Sequence, residues 1–233
     1  MATKFMLCGF KTCPWVQRTA IVLRAKQVPY EVSYIDRNNR PDWLASVSPH
    51  GKVPVLVIDG KEALFESNAI VEYLDETLPP RLHPEDPIAR ARNRAWTDFL
   101  PTFARGANGA GYAATEEQFA ASVGKIANVF GAVEEVLGAR GNAGPYFNGE
   151  RFSLVDAGYA SILQRHTFID RLYPIGEIAK YPRLAAWRDA LLATPAVKAA
   201  TVPDIEMVWR QNLIQRKCWL ARFVPKAEEA TVR

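Results

Sequence analysis

The sequence predicts two structural parts, an α/β domain followed by an all-helical domain. Strand and helix patterns alternate over the first third of the chain, in the order β-α-β-(α)-β-β-α. The segment 78–87 (LPPRLHPEDP) then places four prolines in ten residues, which no continuous helix accommodates. Almost every later segment spaces its apolar residues as a helix does. We therefore expect an α/β domain at residues 1–78, a linker at 79–87 and a helical domain at 88–233.

Seven segments of the first domain have the pattern of a strand or a helix. Short runs rich in β-formers predict strands, and apolar residues three or four positions apart predict helices. Asp59-Gly60 is a typical hairpin turn and separates two of the strands. The predicted order is a strand at 4–8, a helix at 14–26, a strand at 30–35, a helical turn at 41–47, strands at 53–58 and 63–65, and a helix at 67–78.

The second domain consists of helical patterns separated by Gly-rich or Pro-rich breaks. Ser153 and Asp156 form an S-x-x-D box at the start of one helix, and we interpret it as a structural cap. The predicted helices are 88–103, 116–137, 154–172, 181–192 and 205–222.

Composition excludes several classes of protein. Apolar residues make up 48% and charged residues 23% of the 233 residues, as in ordinary globular chains. No apolar run approaches the roughly 20 residues that span a bilayer, so we expect no membrane partner. The net charge is only +4, and we expect no nucleic-acid partner. The basic residues near the C-terminus are interpreted as a solvated face: Arg210, Arg216, Lys217, Arg222 and Lys226.

The number and spacing of the cysteines and histidines predict the cellular compartment and argue against a metal site. An odd number of cysteines in a chain of this size, without a recognisable signal peptide, predicts a reducing cytoplasmic location. No spacing typical of metal ligands occurs, so we expect no metal. The residues concerned are Cys8, Cys13, Cys218, His50, His83 and His166.

The stretch 11–19 (KTCPWVQRT) places Cys13 where a strand ends and a helix begins. Free amide groups and the helix dipole stabilise a thiolate at such a position, and Pro14 suits a first helical turn. Position 16 is a valine, so the stretch is not a C-x-x-C dithiol, and a reactive Cys13 would need an external thiol. A buried, inert cysteine is the alternative interpretation.

Two further motifs suggest contacts to a ligand. Pro54, at the start of an apolar strand, leaves the backbone of Val53 available to an extended peptide-like ligand, although an edge proline without a ligand is an equal alternative. Ser67 is expected as the N-cap of the next helix, where amide groups bind carboxylate or phosphate. Glu66 beside it suits an ammonium group, so the pair suits an α-amino acid; simple helix capping is the alternative.

Together these motifs resemble the cytosolic glutathione transferases over nearly the whole chain. The matching stretches are CP-x-x-QR at 13–18, P-x-GKVPVL at 49–56, ES-x-AI-x-EYL at 66–74 and S-x-x-D at 153–156. A cysteine followed by proline, with QRT behind it, resembles the omega class or related cysteine-type bacterial members. The segment 35–43 (IDRNNRPDW) is similar to the same class.

The resemblance implies a thioredoxin-like first domain, a helical second domain, glutathione as co-substrate and a homodimer, with Trp96 and Phe99 as candidate contacts. Cys13 would be the catalytic residue and would form a mixed disulfide with glutathione. Val53, before a cis-Pro54, would pair with the cysteinyl part of glutathione, and Glu66 and Ser67 would hold the γ-glutamyl group. The remaining implied residues are Arg40 (usually lysine in omega members) and Lys52 near the glycyl carboxylate, and Phe10, Trp15, Asn108, Tyr112 and Trp209 for a hydrophobic substrate.

Three classes of function remain open at this point. The first is a thiol transferase or reductase, in which Cys13 attacks a glutathione mixed disulfide or reacts with an oxidised small molecule such as dehydroascorbate. The second is glutathione conjugation to a hydrophobic electrophile, or dehalogenation or isomerisation of a bacterial catabolite. The third is a binding protein without turnover.

Overall fold

The computed structural model describes residues 3–226. The first part contains four strands and three helices in the predicted order. They are β1 (Phe5–Gly9), α1 (Pro14–Ala25), β2 (Glu31–Tyr34), α2 (Trp43–Val47), β3 (Val55–Ile58), β4 (Glu62–Phe65) and α3 (Ser67–Thr77). The Asp59-Gly60 turn is confirmed, since both residues have positive φ, as a tight hairpin turn requires.

The four strands form one sheet in the order β2-β1-β3-β4. The central strands β1 and β3 are the most apolar, and Leu7, Val55 and Leu56 are completely buried there. Strand β2 runs parallel to β1, whereas β3 runs antiparallel to both β1 and β4. As a result, β1, β2 and β4 finish at the same end of the sheet at which β3 begins.

The rest of the described chain is helical, so an α/β part followed by a helical part is confirmed. The α-helices are α4 (Pro87–Asn108), α5 (Glu116–Val123), α6 (Ile126–Ala139), α7 (Leu154–Leu172), α8 (Pro182–Ala193), α9 (Pro195–Lys198) and α10 (Ile205–Gln215). Single 3₁₀ turns lie at Gly109–Tyr112, Glu177–Lys180 and Trp219–Phe223. Across residues 3–226, none of the helices combines the length and the apolar character needed to traverse a bilayer.

Two helix predictions were wrong. The single helix predicted at 116–137 is divided into α5 and α6 by a turn at Gly124 and Lys125, where the Lys125 amide bonds to the Ser122 carbonyl three residues back and so interrupts the α-helical hydrogen bonds. The helix predicted at 205–222 ends at Gln215. Lys217 has a φ of 55°, and the amides of Lys217 and Cys218 bond back to Ile214 and Leu213. These two hydrogen bonds are typical of a helix that ends at a residue in the left-handed conformation. That residue is usually glycine, so a lysine at this position gives no sequence signal for the end of the helix.

The chain forms two compact units. Of the described residues, the first contains 3–98 together with Ser153–Ser161 and Thr194–Val202. The second contains Phe99–Phe152, Ile162–Ala193 and residues 203–226. The domain boundaries at 1–78, 79–87 and 88–233 stay a prediction.

A buried ion pair holds the end of α3 in the first unit. The ammonium of Lys26 lies 2.9 Å from Asp75 Oδ1, with the two side chains 0% and 4% exposed. It also donates hydrogen bonds to the carbonyls of Leu78 and Pro80, at 2.6 Å each. The Asp75 carboxylate in turn accepts the amides of Leu82 and His83. The proline-rich segment is therefore fixed to α1 and α3 by side chains.

Glu72, a second carboxylate on α3, makes the free energy of unfolding depend on pH in the acid range. Burial by itself would raise the pKa of Glu72, but hydrogen bonds and positive charge from His83 and Arg94 outweigh it and hold the pKa at about 2. His83 Nε2 lies 2.8 Å from Oε1, and Arg94 donates to Oε2 at 2.7 Å and 3.0 Å. Because this pKa is below the ordinary 4.5, the stabilisation is present above pH 4.5 and is lost as pH falls toward 2.

We predict that Glu72→Gln lowers the free energy of unfolding at pH 7 by about 2–3 kcal/mol and flattens its decline between pH 4.5 and 2. Urea unfolding at pH 7, 5 and 3.5 measures both effects. Glu76→Gln is the matched control, because Glu76 contacts the same Arg94 but is 61% exposed. Equal losses in the two variants would contradict the prediction.

Candidate active site at one end of the sheet

The sheet register brings the predicted site residues to one end of the sheet. Cys8 lies opposite Val55, and Val55 lies opposite Phe65, so three strands are aligned in one row. Cys13 follows the end of β1, Val53 and Pro54 precede the start of β3, and Glu66 follows the end of β4. All three segments therefore lie at the same end of the sheet. Helices α1 and α3 both begin at this end, and their free amides favour a bound anion.

Cys13 is the N-cap residue of α1, as predicted. Its amide donates to the carbonyl of Phe10, and its carbonyl accepts the amide of Gln17, each at 3.1 Å. Pro14 occupies the first turn of the helix. A Cβ atom on Gly9 would lie 2.2 Å from Val16 Cγ2, so only glycine lets the end of β1 pass this close to α1. Cys13 as a whole residue is 8% exposed, and it belongs to no disulfide.

The other two cysteines have environments that oppose ionisation. Burial raises the pKa of the Cys8 thiol, although a hydrogen bond with Ser33 lowers it in part. Burial also raises the pKa of the Cys218 thiol, against the nearby charge of Arg216. A cysteine in such surroundings is a poor nucleophile, because the thiolate is the reactive form.

The Val53-Pro54 bond is cis, in agreement with the resemblance. Strand β3 begins only at Val55, so Val53 stands outside the hydrogen-bonded ladder. Within residues 3–226 the amide and carbonyl of Val53 make no hydrogen bond. Since buried backbone groups are usually paired, and Val53 is 8% exposed, these groups are suited to an extended ligand lying alongside.

Glu66, and not Ser67, is the N-cap residue of α3, so the prediction of Ser67 as N-cap was wrong. Glu66 has φ 64° and ψ 113°, and its side chain does not cap the helix. Positive φ is unusual for a residue with a side chain, and such strain is typical of functional positions. Ser67, the first residue of the helix, is 8% exposed. This backbone conformation leaves the Glu66 carboxylate exposed beside the helix N-terminus.

A polar chain that starts at the buried Arg18 and ends at the exposed Asp98 was not predicted as part of the site. The Arg18 guanidinium donates to Asn68 Oδ1 at 2.7 Å, and the Asn68 amide donates to Asp98 Oδ1 at 3.0 Å. Burial lowers the pKa of Arg18 to about 10, while Glu72, Asp98 and Tyr159 oppose that shift. Arg18 is therefore a buried cation at neutral pH. Its guanidinium is held by Asn68, the residue that follows Ser67 in α3. Its place in the CP-x-x-QR motif was the available signal, but that motif does not show where the side chain points.

Arg40 and Lys52 lie near each other in the first unit. Arg40 donates to the carbonyl of Gly51 at 2.9 Å, next to Lys52. Both side chains are exposed. The guanidinium groups of Arg37 and Arg40 also lie 4.3 Å and 5.5 Å from the centre of the Phe10 ring. The stacking of Arg37 on Phe10 was not predicted, because the two residues are far apart in sequence.

The residues predicted for a hydrophobic substrate divide between the two units. Phe10 and Trp15 belong to the first unit, at the start of α1. Asn108, Tyr112 and Trp209 belong to the second. There the Asn108 amide donates to the Ile162 carbonyl at 3.0 Å, and Trp209 Nε1 donates to the Tyr112 hydroxyl at 3.3 Å. Their role in substrate binding stays a prediction.

No group of three or more His, Cys, Asp or Glu residues in the described part of the chain is arranged to hold a metal ion. The donor set at this end of the sheet consists instead of one thiol, backbone groups, a carboxylate and cations. Such a set matches the thiol, peptide groups, ammonium and carboxylates of a small peptide ligand.

Two family models match the chain. The glutathione S-transferase N-terminal domain matches residues 7–82, and the glutathione S-transferase C-terminal domain matches residues 116–190. A probable glutathione S-transferase, GSTU6 of Oryza sativa subsp. japonica, is 33% identical over 226 residues, covering 90% of this chain and 94% of the relative. Glutathione S-transferase omega-1 of Sus scrofa is 31% identical over 199 residues, covering 82% and 78%.

Solved structures of glutathione transferases are also similar to this chain. The Tau class glutathione S-transferase MiGSTU from mango superposes with a TM-score of 0.79 at 28% identity, covering 90% of this chain and 97% of the other. Glutathione transferase Omega 1C from Trametes versicolor superposes with a TM-score of 0.75 at 24% identity, covering 92% and 98%. Relatives of both classes are therefore similar to this chain, and the omega-like assignment stays a prediction.

Proposed function

Because this chain belongs to the glutathione S-transferase family, we propose that it acts as a glutathione-dependent thiol transferase or reductase through Cys13. The observation that supports this proposal is a lone cysteine as the N-cap of α1, with Val16 where a dithiol would have its second cysteine. A lone thiolate forms a mixed disulfide readily but has no internal thiol to resolve it. Glutathione supplies that second thiol.

The proposed glutathione site extends across the end of the sheet. The backbone of Val53 pairs with the cysteinyl residue, which brings the glutathione sulfur toward Cys13. Glu66 holds the γ-glutamyl ammonium, while Ser67 and the first amides of α3 hold its carboxylate. Arg40 and Lys52 attract the glycyl carboxylate. The buried Arg18 acts as a positioning residue, because through Asn68 it fixes the first turn of α3 and adds positive charge behind it.

The reaction proceeds by two thiol–disulfide exchanges. The Cys13 thiolate attacks the glutathione sulfur of a mixed disulfide; a new S–S bond forms, the old one breaks, and the substrate leaves as a thiolate that takes up a proton. A second glutathione thiolate then attacks the glutathione sulfur bound to Cys13. Oxidised glutathione leaves, and the Cys13 thiolate is restored.

Conjugation of glutathione to an electrophile is the second candidate, and the transferase names of the relatives favour it. In that chemistry the enzyme group only stabilises the glutathione thiolate, and a hydroxyl does so without trapping glutathione as a disulfide. Cys13→Ser separates the two candidates. Conjugation should rise in this variant, while thiol transfer should be lost.

The direct test is the mass of the intact protein after mixing with oxidised glutathione. We expect a gain of one glutathionyl group on Cys13, which reduced glutathione then removes. The Cys218→Ala variant should gain the same group, since burial keeps the Cys218 thiol protonated. Wild-type protein that gains no mass, or gains it on Cys218, would overturn the proposal.

Glu66→Gln tests the γ-glutamyl contact. The substitution keeps the shape of the side chain but removes the charge that pairs with the ammonium. We expect the KM for glutathione to rise roughly tenfold, the effect of losing one charge-assisted contact of about 1.4 kcal/mol. Glu62→Gln, an exposed carboxylate on β4, is the control and should leave KM unchanged. Equal KM values in the two variants would exclude this role for Glu66.

A homodimer in the cytoplasm completes the proposal. Family membership supports the dimer, and an odd number of cysteines in a chain of this size favours a reducing compartment over a disulfide framework. Trp96 and Phe99, both half-buried, are the proposed contacts. Sedimentation of the protein measures its oligomeric state directly.

A further inference from the structure

A cavity of about 100 Å³ lies in the first unit beside the edge strand β2. Its apolar lining includes Leu7 on β1 and Val16 and Ala20 on α1, all buried. Val32 and Tyr34 of β2 also line it and are 38% and 44% exposed, so the cavity opens to solvent on that side. None of the residues proposed to hold glutathione lines this cavity.

Two cations lie in the lining, each above a tyrosine ring. The Lys11 ammonium is 5.7 Å from the centre of the Tyr34 ring, and the Arg24 guanidinium is 5.0 Å from the centre of the Tyr30 ring. Both tyrosines belong to the lining as well. The rings limit where the two cations can lie, because a cation is attracted to the ring face.

The positive charge of this cavity is not neutralised. The lining contains no carboxylate. Among residues 3–226, Lys11 and Arg24 have no ion pair or hydrogen bond from their side chains, and the hydroxyls of Tyr30 and Tyr34 have no hydrogen-bond partner. Two cations and two hydroxyl donors without an acceptor of their own therefore lie in a lining that combines apolar side chains with the polar residues Gln17 and Thr201.

We propose that this cavity is a second ligand site, which binds a small aromatic carboxylate. Its volume is somewhat below that of a 150 Å³ cavity that encloses benzene, and it is open on one side. A six-membered ring would lie against the accessible faces of Val32 and Tyr34, and its carboxylate would lie at the open side. Lys11 beside Tyr34 and Arg24 beside Tyr30 make the whole cavity positive, and a tyrosine hydroxyl donates a hydrogen bond to the carboxylate.

The probe for the test is 4-fluorobenzoate, and its binding is followed by ¹⁹F NMR at fixed ionic strength. The protein is saturated with S-methylglutathione, so that the proposed glutathione site is occupied and has no thiol to react. We expect binding under these conditions. The uncharged isostere 4-fluorobenzamide should bind at least about tenfold more weakly, since it lacks the carboxylate charge.

Two kinds of variant locate the site. The double substitution Lys11→Met with Arg24→Met removes both charges, and Ala199→Leu places a larger side chain at an exposed position of the lining. Each should weaken 4-fluorobenzoate binding about tenfold while the melting temperature stays near that of the wild type. Arg222→Met is the matched control, because Arg222 also lies 5.0 Å over an aromatic ring, that of Trp219 in the second unit.

Three results would overturn the proposal. One is equal affinity for 4-fluorobenzoate and 4-fluorobenzamide. Another is unchanged affinity in both the double variant and Ala199→Leu. The third is loss of binding when S-methylglutathione is present, which would place the probe in the glutathione site instead.

Discussion

Cys13→Ala is expected to abolish thiol transfer, with a loss of turnover of roughly a thousandfold or more. The variant lacks the atom that forms the mixed disulfide, and no other residue replaces it. Cys8, the nearest cysteine in sequence, lies on the central strand β1 with its thiol pKa raised by burial. The measurement is the steady-state rate with a glutathione mixed disulfide as substrate, together with glutathione affinity by calorimetry.

Glutathione affinity should survive in Cys13→Ala, because the proposed contacts to the tripeptide come from Val53, Glu66 and Ser67. Cys218→Ala is the control and should retain full turnover. If Cys13→Ala keeps wild-type turnover, the proposed chemistry is wrong. If the variant loses glutathione binding together with turnover, Cys13 has a structural role that the proposal does not include.

Lys26→Met should lower the free energy of unfolding by about 3–5 kcal/mol, a larger loss than that expected for Glu72→Gln. The change leaves the Asp75 carboxylate buried without its cation. It also removes the donor to the carbonyls of Leu78 and Pro80. Methionine fills much of the same volume, so the loss comes from the missing charge rather than from a cavity. Urea unfolding at pH 7 measures it.

Lys61→Met is the matched control, because Lys61 is exposed in the β3–β4 turn, and it should change stability by less than about 0.5 kcal/mol. Combining Lys26→Met with Asp75→Asn should cost less than the sum of the single changes, since the two side chains contact each other. Strict additivity, or a Lys26→Met loss no greater than that of the control, would show that this ion pair does not hold the segment.

The Lys26–Asp75 ion pair is a feature of the proline-rich segment that the sequence does not predict. Four prolines predict where helix formation stops, because proline lacks an amide donor. They do not predict that a lysine at the end of α1 binds the far end of α3. That contact joins residues about fifty positions apart, and it exists only because both helices lie against the same sheet.

For the candidate site, local chemistry could be predicted residue by residue. Cys13 at a helix start and a charged group beside Ser67 follow from short motifs whose physical reasons are local, whereas the cis bond before Pro54 is implied by the family resemblance. The positive φ of Glu66 and the Arg18–Asn68–Asp98 chain follow from neither. A strained backbone is tolerated only where surrounding contacts impose it, and a buried arginine needs acceptors that come from other helices.

The sequence by itself determined the order of strands and helices, the turn at Asp59-Gly60 and the lone cysteine before α1, because periodicity, turn chemistry and capping depend on neighbouring residues. Only the tertiary structure decided which end of the sheet collects Cys13, Val53 and Glu66, because that depends on strand pairing and register. It also decided that α5 and α6 are separate helices and that Lys217 ends α10. In each case the deciding interactions are formed between backbone groups or between distant side chains, and neither kind leaves a pattern in the sequence.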